Sequence, residues 1–405
     1  MKILDFINSL SISTLILCIV MLVLIDLLVP YIITLRVKKI YETTGSPDKA
    51  IDKLRIYNTY IFGGISVVSF SCIIFLLFRS MDSIGYDKFY LTFGIFFLLT
   101  MVVSILAEFI QHNTVKTIRG TTEKTNNKLF DTIKGVLITL LPIFISLVII
   151  NFAIDFLSEN EQIPEIVEGA IIVFLPILFI VFMNLLLPSL YPMLLKASIL
   201  EDGDLRSELE TFVKNNDLKN VVLYEWPTRD KKLVNALVCG LFKKRIFISD
   251  YLMDNMTIDE ILSILAHEIG HIKKKHTLKR MFMIIIGIVL LAASIFALAS
   301  LDVSLELDIP GPVIFIIIIS FVVMYFIFFA KYLYRKHETQ ADIFVIESGN
   351  SPEVFATALM KLAELNHVGK RFNKADAKFQ THPSMVKRIK TIEEKYSVDL
   401  SHIIS

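Results

Sequence analysis

The stretch His267-Glu268-Ile269-Gly270-His271 decides how the rest of the chain is read. It lies in a run from Thr257 to about His276 whose spacing predicts one helix. Thr257 is a good N-cap, and Glu260 three residues on completes a capping box. Ile261, Ile264 and Leu265 recur at helical spacing and give that helix a buried side. Residues four apart share a helical face, so His267 and His271 can address one ion. Glu268 is rotated off that line. It is poorly placed as an equal ligand, but it can reach a water on the ion. Two imidazoles for Zn²⁺ and a carboxylate for its water make a hydrolytic arrangement, because zinc lowers the pKa of bound water to about 7. Read alone, the pentapeptide also fits a surface helix with two solvated histidines.

The chain around it has the composition of a membrane protein. Of 405 residues 54% are hydrophobic, and the mean hydropathy is +0.64. A net charge of +1 argues against a nucleic-acid partner. Cys18, Cys72 and Cys239 suggest neither a disulfide framework nor a zinc ribbon and read as small apolar residues. Seven apolar segments reach the roughly 20 residues a helical span needs, near 10–32, 59–79, 89–110, 134–156, 168–190, 281–301 and 312–333. The first is not read as a signal peptide: its apolar run is too long, Asp5 interrupts the basic end, and no small-residue cleavage site follows. Lys and Arg crowd alternate loops, from Arg36 to Arg55, from Lys116 to Lys128, from Lys273 to Arg280 and from Lys331 to Lys336. The positive-inside rule then places the N-terminus outside, and His267 and the C-terminus in the cytoplasm of a multi-pass cell-membrane protein. Asp26, Glu108 and Asp155 lie near span ends and read as solvated there; a bundle interior or water-filled cavity is the other place for such carboxylates.

From Lys196 the composition turns polar. The pattern predicts a five-helix transmembrane region over 1–195 and a second domain over 196–405, interrupted by a membrane hairpin at about 281–333. Within the second domain, Asp204 to Asn216 reads as a helix. Val221–Tyr224, Val234–Cys239 and Arg245–Ser249 read as strands. Ser351-Pro352-Glu353 starts another helix, and a last one runs from about Ser384 to Tyr396.

A zinc site that keeps a position open for water needs a third protein ligand. A histidine six residues after His271 is absent, since position 277 is Thr, and His276 has the wrong spacing and phase. After the hairpin comes Arg335-Lys336-His337-Glu338-Thr339-Gln340-Ala341-Asp342. Glu338 and Asp342 are four apart on one helical face. Glu338 can be the third ligand, and Asp342 can accept the other ring N–H of a ligand histidine. Without the pentapeptide this segment reads as a solvated juxtamembrane charge cluster with His337 exposed. The hairpin returns the chain to the membrane face it left, so both ligand segments lie on one side.

These residues resemble the integral-membrane zinc metallopeptidases that include the type 1 CAAX prenyl protease and the bacterial protease HtpX. The resemblance rests on His267-Glu268-x-x-His271 and Glu338-x-x-x-Asp342, in that order across a hairpin. It also rests on Asn235 to Gly240 followed by Leu241 to Ile246, and on Thr381-His382-Pro383-Ser384 with Arg388 beyond. Seven spans fit the CAAX protease branch better than HtpX. The resemblance implies a mostly α membrane fold, with seven transmembrane helices and a gluzincin-like α+β peptidase domain on the cytoplasmic side. It implies one zinc per chain, bound by His267, His271 and Glu338, with Glu268 as general base and then acid. Asn235, Ala236 and Leu237 would line the groove in which a peptide binds by strand addition, and His382 and Arg388 would stabilise the oxyanion. Without it, His382 reads as a turn histidine and Arg388 as part of a solvated helix face. The partners implied are a peptide or protein substrate and membrane lipid. Substrates could be lipidated C-termini, misfolded membrane proteins or small peptide precursors. A metal-free transporter or receptor is the reading from another class.

Overall fold

The computed structural model describes residues 11–81, 88–158, 164–240, 242–305, 317–318, 320–322, 324–369 and 382–404. The chain forms two compact units, Met1–Glu168 and Gly169–Ser405. Among the described residues six helices are long and apolar enough to cross a membrane. They coincide with the first six predicted segments. Of the seventh, near 312–333, positions 312–316, 319 and 323 lie outside the described residues, as does the turn of the hairpin.

The first unit is helical. Helix α1 runs Ile12–Thr44, capped by the Ser11 side chain at its start and by Gly45 in the left-handed region at its end. Helix α2, Pro47–Tyr57, passes through a π-helical turn at Asn58–Phe62 into α3, Gly63–Met81. Helices α4, Lys88–Arg119, and α5, Thr125–Ser158, follow. Asp26 departs from expectation. Its carboxylate is fully buried and accepts hydrogen bonds from Ser69 at 2.6 Å and Ser66 at 3.1 Å on α3. A buried carboxylate persists only with such partners, so Asp26 joins α1 to α3 rather than facing water. Glu108 is 54% exposed and pairs with Lys128 at 2.9 Å, consistent with an interfacial position. The Asp155 side chain lies outside the described residues.

The second unit begins within α6, Glu165–Leu194. Strand β1, Ser198–Ile199, helix α7, Asp204–Asn215, and strand β2, Val221–Trp226, come next. Strands β3, Ala236–Cys239, and β4, Lys244–Ser249, complete a four-stranded sheet of order β1-β2-β4-β3. Strand β4 runs parallel to β2 and antiparallel to β3, with Ala236 opposite Ile248 and Cys239 opposite Arg245. The β3–β4 turn needs Gly240: its φ is +97°, and a Cβ there would fall 2.1 Å from the Lys243 carbonyl oxygen. In this sheet β3 is an edge strand.

Helix α8, Asp250–Asn255, leads to α9, Ile258–Lys273. Both halves of the predicted capping box form at Thr257 and Glu260. The helix stops short of its predicted end because Lys275 turns to a φ of +55°, and α10 starts afresh at His276 and runs to Leu305. A π-helical segment, Met324–Ala330, continues into α11, Lys331–Glu347. Helices α12, Pro352–Leu365, α13, Met385–Tyr396, and α14, Ser401–Ile404, close the chain. Helix α9 lies between two apolar clusters. Ile261, Ile264, Leu265 and Ile269 pack with the sheet residues Leu223, Ile246 and Ile248. Ala266 on its other side packs with Val345, Phe355 and Ile389. Apolar burial on two sides fixes the rotation of α9, and so fixes where its histidines point.

Candidate metal centre

Helices α9 and α11 bring His267, His271 and Glu338 together. Nε2 of His267 lies 3.2 Å from Nε2 of His271. Glu338 Oε2 is 3.3 Å from His267 Nε2, and Oε1 is 3.5 Å from His271 Nε2. Tetrahedral zinc holds nitrogen and oxygen ligands at about 2.0–2.2 Å, which sets the ligands roughly 3.3–3.6 Å apart. The two imidazole nitrogens are 3.2 Å apart and each lies 3.3–3.5 Å from one of the two Glu338 oxygens, close to that spacing, so the donor set fits zinc. Among the described residues it is the one His, Cys, Asp and Glu cluster that could hold a metal ion.

Two buried carboxylates, Glu338 and Asp342, stand beside the imidazole pair. Burial pulls the His267 imidazole down, but hydrogen bonds to Asp342 and Glu338 carry it up to about 9. Burial and the neighbouring His267 hold His271 down at about 3. Glu338 is buried, which pushes its carboxyl up, yet the His267 hydrogen bond and charge keep it well below the usual carboxylate range. Asp342 sits behind His267, its Oδ1 2.9 Å from Nδ1. Arg388 holds Asp342 by a two-pronged contact, with Nε donating at 2.9 Å to Oδ2 and Nη2 to Oδ1. Burial raises the Asp342 carboxyl, and the Arg388 charge more than reverses that.

Glu268 points elsewhere, toward the sheet edge. Burial raises its carboxyl above the ordinary value, although the His267 charge and a hydrogen bond from the Val238 backbone amide oppose this. Strand β3 therefore runs beside the carboxylate. Asn235, just before β3, is exposed and makes two hydrogen bonds to Ser249: its N–H donates to the Ser249 side-chain Oγ at 2.9 Å, and its carbonyl accepts from Ser249 N–H at 3.0 Å. Ala236 and Leu237 are half-buried on the edge strand. A cavity of about 470 Å³ opens beside His271, walled by Tyr191, Val238, Cys239, Gly240 and Leu278 among others.

His382 and Arg388 occupy different positions. The His382 side chain is 60% exposed, with Nε2 3.5 Å from Glu338 Oε1. Arg388 is 7% exposed and turned toward Asp342 and the rear of His267, its Nη2 3.2 Å from His267 Nδ1. Its guanidinium thus faces the back of His267. Thr381 lies outside the described residues.

Three groups at the site are not among those picked out by sequence. Arg280 Nη2 comes within 3.5 Å of Glu338 Oε1. His276 and Gln340 line up behind His271. The sequence did set His276 five residues after His271, but nothing in that spacing reveals a contact that depends on α10 packing beside α11.

Six apolar helices accompany a His-His-Glu cluster whose histidines lie on the HExxH helix α9 and whose glutamate lies on α11, an arrangement that fits the class of membrane metallopeptidases. Residues 200–396 match Peptidase family M48. The chain is 29% identical over 177 residues to the CAAX prenyl protease 1 homolog of Dictyostelium discoideum, covering 41% of each protein. It is 29% identical over 235 residues to the CAAX prenyl protease 1 homolog of Arabidopsis thaliana, 53% of this chain and 54% of that one. The chain spans about half the length of the curated relatives it matches. Its fold is that of the crystal structure of S. mikatae Ste24p, with a TM-score of 0.61, 17% identity, and 93% of this chain and 98% of that one covered. The motif resemblance and these matches agree: residues 200–396 are similar to Peptidase family M48, and the curated relatives they resemble carry the name CAAX prenyl protease 1.

Proposed function

We propose that this chain is a multi-pass membrane endopeptidase that binds one zinc at His267, His271 and Glu338. The observation that carries the proposal is the convergence of the His267 and His271 Nε2 atoms and the Glu338 carboxylate, in contacts of 3.2–3.5 Å, beside the edge strand β3. Zinc bound there would supply Lewis acidity, acidifying water and polarising a carbonyl. The remaining work belongs to the chain. Strand β3 pairs with an extended peptide through the outward N–H and carbonyl of Ala236 and the carbonyl of Val238. The cavity beside His271 accepts an apolar side chain next to the scissile bond. Glu268, its pKa raised toward the working range, takes a proton from the attacking water and gives it to the leaving amine. His382, exposed beside Glu338, donates to the developing oxyanion. The placement of Arg388 supports a different role from the oxyanion contact expected: it fixes Asp342, which fixes His267.

The relatives' names favour a prenylated C-terminal segment as substrate over misfolded membrane proteins or peptide precursors. The loop charges favour an outside N-terminus and a cytoplasmic site. Incubating the purified chain with a prenylated peptide and its unprenylated twin tests the substrate; equal turnover of both would refute it. Glu268→Gln should keep zinc and fold and lower kcat by roughly 10²–10⁴. Activity near that of the unaltered chain would remove Glu268 from the mechanism. A transporter or receptor would bind no zinc and be indifferent to chelators.

A further inference from the structure

His276 is fully buried at the first turn of α10. Its Nδ1 lies 2.8 Å from Nδ1 of His271, and its Nε2 lies 3.0 Å from Oε1 of Gln340 on α11. Its ring stacks on that of His337, 4.2 Å away and inclined by 12°. Nε2 of His271 is the nitrogen turned toward His267 and Glu338.

A neutral imidazole has one donor and one acceptor nitrogen. If Nε2 of His271 keeps its lone pair for a metal, its proton sits on Nδ1 and is donated to Nδ1 of His276. His276 then carries its own proton on Nε2 and donates it to the Gln340 oxygen. This assignment satisfies both contacts. The other tautomer of His276 would set a lone pair against the Gln340 oxygen and a donor against His271. We propose that His276, held by Gln340, is the positioning residue that fixes His271 in the tautomer offering Nε2 to the metal. The two imidazole ligands then have unlike supports: the Asp342 carboxylate behind His267, and a neutral ring behind His271.

The proposal rests on the zinc reading, and zinc affinity measured by chelator competition on the purified full chain tests it. His276→Phe keeps the ring volume and the stack on His337 but removes the acceptor. His276→Asn loses the stack but puts Oδ1 near the position of Nδ1. Zinc affinity should fall about 10–100-fold in His276→Phe, the usual cost of losing such a support, and recover most of that loss in His276→Asn. A role confined to packing predicts the opposite order, and that order would overturn the proposal, as would unchanged affinity in His276→Phe. Should His276→Phe fail to fold, Gln340→Met carries the test, expected to weaken zinc several-fold while Gln340→Glu retains it; unchanged affinity in Gln340→Met would overturn the proposal. If the unaltered chain bound no zinc, the metal-site reading itself would fail, an outcome distinct from these.

Discussion

A single hydrogen atom in place of a methyl group at position 270 sets the spacing of the site. A Cβ on Gly270 would sit 3.1 Å from the Ala341 Cα and the Phe344 Cβ, and 3.2 Å from the Ala341 carbonyl oxygen. The α11 backbone can therefore approach α9 closely at Ala341 and Phe344, on either side of the Asp342 that supports His267. Alanine would improve the helix alone by about 1 kcal/mol, so the glycine answers to the crossing. Gly270→Ala should overpack it, costing about 1–3 kcal/mol. A lower Tm of the zinc-free chain and weaker zinc binding are expected; a raised Tm with unchanged affinity would contradict the argument. The protonation of His267 gives a second expectation. Without metal its pKa is raised to about 9, so at neutral pH it holds a proton that zinc must displace. His271 at about 3 and the strongly acidic Glu338 add no further proton above pH 5. Apparent zinc affinity should thus fall about tenfold per unit as pH drops below 9, with one proton released per ion. Calorimetry in buffers of different ionisation enthalpy checks this, and a pH-independent affinity between 6 and 8 would refute it.

At the scale of elements, the site is an edge strand beside two crossed helices. In the antiparallel β3–β4 pair, Asn235 and Ser249 are bonded through their backbones, so Leu237 also faces β4. By alternation Ala236 turns its N–H and carbonyl outward, as Val238 does toward Glu268. Proline is tolerated on edges where the lost N–H is not part of the ladder. Ala236→Pro should therefore keep the sheet and the zinc but raise KM for a peptide about tenfold or more, the loss expected for one backbone hydrogen bond and a steric block. An unchanged KM would show that peptide does not add to β3. Most of these elements were legible because their signals are local: the Thr257–Glu260 box, the i and i+4 pairs of α9 and α11, and the β-branched and aromatic runs of β2 and β4. The break at Lys275 was not, since no residue preference marks a lysine for positive φ. Strand β1, two residues long, carries too little pattern to read. The His276–His337 stack and the inward turn of Arg388 are tertiary: they follow from which helices meet, and spacing along one chain does not encode that.

For the whole molecule, hydropathy located the apolar helices but not their lengths. Helix α1 runs Ile12–Thr44, twelve residues past the predicted 10–32, because charged residues continue a helix that has left the apolar window. Asp26 shows the same limit from inside a span. Its fit with Ser66 and Ser69 depends on a neighbouring helix that composition cannot name. What ties the molecule to chemistry is the return of the chain from α10 to α11, which sets residues 338 and 342 against 267 and 271. X-ray absorption at the zinc edge of the purified full chain tests that convergence most directly. One zinc per chain, with two imidazole nitrogens at about 2.0–2.1 Å and oxygens at about 2.0–2.2 Å, and loss of the metal or of an oxygen on Glu338→Ala, is the expected result. Absence of zinc, sulfur in its coordination shell, or a shell unaltered by Glu338→Ala would contradict the assignment.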